Sequence, residues 1–187
     1  MGEMTPLDCI AVSERASCLC TEQQVEAALD RMAAKITERL SGQNPILMCV
    51  MHGGLIITGK LSTRLAFPLQ LDYLHATRYQ GETSGSELHW RNYPTLDLAG
   101  RSVLIIDDIF DVGATLHNII DYCWQQDAAK VFSAVLVDKQ HDRKIPGLKP
   151  DFIGLQLPDS YLYGYGMDYK GYLRNAAGIY AIAEEDI

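Results

Sequence analysis

No apolar run in the 187-residue sequence is long enough to cross a bilayer. The longest stretches, such as ILMCVM at 46–51 and VLII at 103–106, fall far short of the ~20 residues a spanning helix needs. The opening MGEMTPLDCI has no basic segment leading into an apolar one, and Pro6 stands where an N-myristoylation motif carries Ser or Thr. Basic charge is also scarce: 16 Lys and Arg against 24 Asp and Glu leave a net charge of −8. That balance disfavours a chain that grips nucleic acid as a whole, but it leaves room for a small cationic pocket. Five cysteines are an odd number without framework spacing, and Cys18-Leu19-Cys20 is too tight for a zinc ribbon, so free thiols are expected. Together these absences predict a cytoplasmic protein with neither a membrane nor a nucleic-acid partner. The length suits a single domain over 1–187.

What is present alternates between two periods. TEQQVEAALDRMAAKITERL places Val25, Leu29, Met32, Ile36 and Leu40 three or four residues apart, and Thr21 with Gln24 forms a capping box. ILMCVM then reads as a strand covered on both faces. His52-Gly53-Gly54 leads into a helix through LIITGKLSTRLA, which Pro68 should stop before the strand LQLDYLHA. Residues 79–100 carry Gly, Ser, Thr, Asn and Pro without a period, the mark of a long loop or of short hairpin strands. Strand RSVLII, helix ATLHNIIDYCWQQ and strands KVFSAVLVDK, DFIGLQLP and GIYAIA follow. The predicted class is α/β, with a mainly parallel sheet flanked by helices.

The segment VLIIDDIFDVGATL runs from four apolar residues straight into Asp107, Asp108 and Asp111. Ligands of open α/β sheets sit beyond the carboxyl ends of strands, where these acids are expected. Asp111, Val112, Gly113, Ala114 and Thr115 then open a helix. Successive N–H groups there form an anion cradle favoured by the helix dipole. Gly113 permits close backbone approach, and Thr115 adds a hydroxyl donor. Acids followed by an anion cradle suit a sugar phosphate, with vicinal hydroxyls on the carboxylates and the phosphate on the amides. Helix capping needs fewer than three acids in five residues. A phospho-accepting receiver domain spreads its acids over two strand ends.

VLIIDDIFDVGATL resembles the phosphoribosyl-pyrophosphate motif of type I phosphoribosyltransferases, and the chain is similar to the hypoxanthine-guanine branch over roughly residues 20–185. Val112 departs from the Thr usual there, which removes a hydroxyl but keeps the backbone donors. The resemblance implies a twisted parallel sheet with a small hood built from the N-terminal segment and about 150–187. It implies transfer of 5-phosphoribosyl from its 1-pyrophosphate to N9 of a 6-oxopurine, with Mg²⁺, in a homodimer or homotetramer. Asp107 and Asp108 then hold the ribose hydroxyls, and Asp111 is the general base for the N7 proton.

VDKQ and KPDFIGLQLPDSYLYGYGMDYKGYLRN resemble the family's purine site. By that resemblance Lys139 donates to the 6-oxo group, Tyr161 stacks on the ring, and main-chain groups at Leu162 read the base edge. Asp168 lies near the 2-position and, with Asp107, near the metal; Arg174 contacts pyrophosphate. An ammonium opposite position 6 should reject adenine. VMHGGL matches the family's first loop, where an unusual peptide bond lets a backbone N–H bind pyrophosphate; His52 and Gly53 are the contacts, and such a bond, if non-proline cis here, joins Met51 and His52. TRYQGETSG matches the flexible lid, entered by Arg78 and Tyr79, which would keep water from the activated sugar. A xanthine-preferring enzyme and a non-catalytic sensor of the same sugar diphosphate remain open as alternatives.

Overall fold

The computed structural model describes residues 5–78 and 88–187. It opens with helix α1 (Pro6–Arg15) and strand β1 (Ser17–Thr21), neither of which hydrophobic periodicity indicates. The signal for α1 lies in its first turn. Thr5 caps the Asp8 N–H, Asp8 accepts from the Thr5 N–H at 2.9 Å, and Pro6 occupies the first helical position, where no N–H is needed. Helix α2 (Glu22–Leu40) begins as its sequence indicates, with Gln24 Oε1 accepting from the Thr21 N–H at 2.8 Å and the Thr21 hydroxyl accepting from the Gln24 N–H.

Strand β2 (Ile46–Val50), helix α3 (Gly54–Ser62) and strands β3 (Gln70–Arg78), β4 (Leu88–Asn92) and β5 (Ser102–Phe110) follow. Helix α4 (Ala114–Gln125), β6 (Lys130–Gln140) and β7 (Phe152–Pro158) complete the central layer. The six-stranded sheet has the order β4-β3-β2-β5-β6-β7 and is parallel except for β4, which runs antiparallel to β3. Helix α3 stops at Ser62, short of the Pro68 boundary. The Ser62 and Thr63 hydroxyls and the Arg64 guanidinium donate to the Gly59 and Lys60 carbonyls, satisfying the groups that would otherwise call for another turn.

Both sheet faces are covered, and strand alternation sorts the side chains between them. Leu47, Leu104 and Ile106 pack under α2 and α3 with Val25, Leu29, Met32, Ile36, Leu40, Ile57 and Leu61. Ile46, Met48, Val103 and Ile105 pack on the opposite side with Leu116, Ile119 and Cys123 of α4. Each fully buried aliphatic side chain contributes about 2 kcal/mol of transfer free energy, so the helical stripe of α2 clamps it firmly to the sheet.

A second, three-stranded antiparallel sheet joins β1 to β9 (Gly178–Ala181) and β8 (Leu162–Tyr163), in the order β1-β9-β8. It forms the hood from the two ends of the described chain, while β7 stays at the edge of the main sheet. Tyr163 stacks on Tyr180 with ring centroids 5.2 Å apart. Glu26 on α2 fastens the hood to the body: it accepts from Lys60, from Arg64 and, at 2.6 Å, from the Tyr165 hydroxyl. Among the described residues no helix is long and apolar enough to cross a membrane.

Candidate active site

Strand β5 runs to Phe110, so Asp107 and Asp108 are strand residues rather than members of the loop beyond VLII. The physical reason is the length of β6, which keeps offering partners: Asp107 pairs with Val135, Ile109 with Val137 and Phe110 with Asp138. The acids sit between two adjoining clefts and border both. One, of about 290 Å³, is also lined by Met51, His52, Gly53, Leu162, Asp168 and Arg174. The other, of about 280 Å³, is lined by Phe110, Asp111, Gly113 and Thr115.

Burial, reinforced by the neighbouring Asp108 charge, pushes the Asp107 carboxyl well above the usual carboxylate range. Burial raises Asp108 too, against the hydrogen bond from Asp107 and the positive charge of Arg174. The Asp108 N–H donates to Asp107 Oδ1 at 2.9 Å, and the Ile109 N–H donates to the Asp108 carboxyl. Two carboxyls so placed retain the capacity to accept hydroxyl donors or to meet a cation.

The turn into α4 exposes its first amides. Gly113 adopts φ +92°, a conformation costly for any residue with a Cβ, and that Cβ would lie 2.5 Å from the Phe110 ring. No N–H of Val112, Gly113, Ala114 or Thr115 donates to another backbone group among the described residues, so four amides stand open at the start of α4. Thr115 borders both clefts, whereas the Val112 and Ala114 side chains border neither.

At the other cleft the Met51–His52 peptide is cis. Gly53 and Gly54 are required by close approach rather than by torsion. A Cβ on Gly53 would lie 2.2 Å from Asp108 Oδ2, and one on Gly54 would lie 2.4 Å from the Ile106 carbonyl oxygen. His52 is exposed and meets His75 edge-on at 4.6 Å between centroids. Burial, then the charges of His52 and Arg91, lower the His75 pKa. Arg174 is held in place from the hood, donating to the Gly166 carbonyl at 2.5 Å and to Asp168 Oδ1 at 2.6 Å. The second Asp168 oxygen accepts from the Gly171 N–H at 2.7 Å.

Lys139 and Tyr161 border neither cleft. Lys139 is buried, with Nζ 3.0 Å from Asp159 and 3.8 Å from Asp111. Tyr161 is 41% exposed and touches Tyr169 edge-on, leaving a ring face open for stacking. Of the lid residues, Arg78 ends β3 and Tyr79 lies outside the described residues. Two residues escape the sequence reading. Asp159 accepts from Arg143 and then from Lys139, which hold its carboxyl far below the usual range. His141 places Nε2 2.6 Å from Asp111 Oδ1. His141 lies just beyond the end of β6, two residues after Lys139, and no periodic signal in the sequence marks it. Asp111, His141 and Asp159 cluster as metal ligands often do, but the Lys139 ammonium already lies between the two carboxylates.

Residues 19–169 match the family model of the phosphoribosyl transferase domain. The hypoxanthine-guanine phosphoribosyltransferase of Streptococcus pneumoniae is 30% identical over 89% of this chain and 93% of its own. The hypoxanthine-guanine-xanthine phosphoribosyltransferase of Tritrichomonas foetus is 27% identical over 84% of this chain and 86% of its own. In structure, a hypoxanthine phosphoribosyltransferase from Staphylococcus aureus superposes with a TM-score of 0.87, covering 98% of both chains at 23% identity.

Proposed function

Because the chain belongs to the hypoxanthine-guanine phosphoribosyltransferase family, we propose that it transfers 5-phosphoribosyl from 5-phosphoribosyl-1-pyrophosphate to N9 of hypoxanthine or guanine in purine salvage. The products are IMP or GMP and pyrophosphate, and residues 1–187 act as one domain. The observation that carries this reading is the position of Asp107 and Asp108, shared by a cleft with open helix-start amides and a cleft with Arg174. A phosphorylated ribose laid across them puts its diol on the carboxylates, its 5′-phosphate on the amides of 112–115 and its pyrophosphate beside Gly53, His52 and Arg174.

As the bond from C1 to pyrophosphate breaks, positive charge gathers on the ribose ring, and Asp107 and Asp108 supply fixed negative charge beside it. Asp111 takes the N7 proton while N9 attacks. Lys139 keeps ammonium protons beyond the one given to Asp159, enough to donate to a 6-oxo oxygen and to repel a 6-amino group. Tyr161 offers its open face to the purine, and the Leu162 backbone lies beside it. Arg78 and Tyr79 lead into the covering lid.

Magnesium belongs to the same reading. Asp107 and Asp168 border one cleft together with Arg174, so oxygen donors of the kind Mg²⁺ prefers are at hand. Those two residues would hold it, with Asp168 already steadied by Arg174 and Gly171. When bound, the ion neutralises charge accumulating on the pyrophosphate. The reading also makes the enzyme a cytoplasmic homodimer or homotetramer. The exposed Leu71 and Tyr73, on one face of β3, support association of copies, which light scattering measures.

The test mixes the protein with Mg²⁺, the sugar diphosphate and each of hypoxanthine, guanine, xanthine and adenine, and follows nucleotide and pyrophosphate release. Nucleotide from the first two and none from adenine is expected. Absence of nucleotide from every base would overturn the proposal. The named relatives favour neither a xanthine-preferring enzyme nor a non-catalytic sensor.

A further inference from the structure

We propose that His141 is the positioning residue of the proton acceptor, a neutral Nε2–H imidazole that occupies Asp111 Oδ1 and leaves Oδ2 as the oxygen that receives the purine proton. This rests on the reading of Asp111 as general base.

The tautomer follows from the bonds on the two ring nitrogens. His141 Nδ1 accepts the Arg143 backbone N–H at 3.1 Å, so it carries no proton in this arrangement. The one proton of a neutral imidazole is then on Nε2, which donates to Asp111 Oδ1 at 2.6 Å. The Lys139 ammonium approaches the same oxygen, at 3.8 Å. Both neighbours therefore act on Oδ1.

Exposure separates the partners. The His141 side chain is 5% exposed and the Asp111 side chain 38%. The imidazole is the fixed, inner member, and the carboxylate is the member that reaches the cleft. A buried ring with both nitrogens engaged has little freedom to turn, and it transfers that rigidity to the carboxylate it holds.

The segment that carries His141 also braces the cradle. The Ile145 N–H donates to the Val112 carbonyl at 3.0 Å, and Leu148 packs where a Cβ on Gly113 would come within 3.0 Å of it. The chain from 141 to 148 thus sets both the base and the anion site from one side. Because a backbone N–H holds Nδ1, His141 does not pass the proton onward; that would need Nδ1 to give up its bond. The proton taken from N7 stays on Asp111 Oδ2 until the nucleotide leaves.

The test uses the full chain in four forms: His141→Leu, His141→Gln, Asp111→Asn and the double variant Asp111→Asn/His141→Leu. In His141→Leu the donor is lost, and kcat should fall about 10- to 100-fold, with KM for the sugar diphosphate changing less than about threefold. The Gln amide reaches the Nε2 position, so His141→Gln should recover kcat to within about fivefold of the parent. In the Asp111→Asn background, His141→Leu should change kcat by less than about threefold, because the group it positions is gone. The proposal is overturned if His141→Leu keeps the parent kcat, if His141→Gln is no better than His141→Leu, or if the double variant shows the full second loss. Failure of the base reading is separate: it shows as near-parent turnover in Asp111→Asn alone.

Discussion

Gly53→Ala and Gly59→Ala make the same chemical change at the N-cap and in the interior of the nine-residue helix α3, and they should have opposite effects. Gly53 has φ −57° and ψ −47°, torsions that alanine adopts freely, so no backbone penalty arises. The added methyl, however, would lie 2.2 Å from Asp108 Oδ2, against about 3.4 Å for ordinary contact, an overlap of about 1.2 Å. Asp108 is 7% exposed and cannot swing into solvent, so the carboxylate or the loop must move within a packed site. Overpacking of that kind costs about 1–3 kcal/mol, which in a chain of this length lowers Tm by about 3–10 °C. A displacement of about 1 Å at a substrate-positioning carboxylate is worth about 100-fold in kcat/KM.

Gly59 lies within α3, exposed, and a Cβ there meets nothing within 4 Å. Alanine should stabilise that helix by about 0.5–1 kcal/mol through lower unfolded-state entropy, raising Tm by about 1–4 °C with activity unchanged. Thermal melts and initial rates at varied sugar diphosphate read both variants. If Gly53→Ala kept kcat/KM within about threefold of the parent, the steric link from the Gly53 loop to Asp108 would be refuted.

Three further outcomes follow from the same geometry. Val112→Thr adds a hydroxyl to a half-buried side chain that borders neither cleft; KM for the sugar diphosphate should stay within about twofold of the parent, and a drop of about tenfold would show that the hydroxyl reaches the phosphate. Gly113→Ala forces a methyl onto φ +92° and against Phe110; it should cost about 1–3 kcal/mol in urea unfolding and raise the same KM, and a neutral result on both would contradict the cradle conformation. Glu26 concerns pH. Lys60, then Tyr165, and also Arg64 hold its carboxyl down from 4.5 to about 2. A depressed folded-state pKa gives stability that is fully present above the unfolded value and is lost as pH falls from about 4.5 towards 2. Its side chain is 28% exposed, so screening reduces the contribution to about 1–2 kcal/mol. Urea midpoints of Glu26→Gln should therefore fall below the parent at pH 7 and converge with it across that interval; a constant gap down to pH 2 would show that packing, not charge, holds the hood.

Much of the architecture was legible where a local cause acts alone. The Thr21–Gln24 cap, the 3.6-residue stripe of α2 and the unbroken apolar β2 each follow from short-range chemistry, and each forms as read. The ends of elements were less legible. β5 outruns its apolar core because β6 continues to pair with it, and α3 stops early because hydroxyls five and six residues before Pro68 bind its last carbonyls. Helix α1 was missed because its signal is a capping box rather than a hydrophobic period.

The site divides in the same way. DDIFDVGAT determines by itself that acids stand beside the open amides of a helix start, because both features lie within nine consecutive residues and need only a strand, a turn and a helix. Three relations needed the tertiary structure: that Gly53 presses on Asp108, that Arg174 reaches the cleft bordered by Asp107 and Asp108, and that His141 holds Asp111. Each joins segments 30 residues or more apart in the chain, or sets a side chain against another element, and sheet order and packing alone bring such groups to within bonding distance.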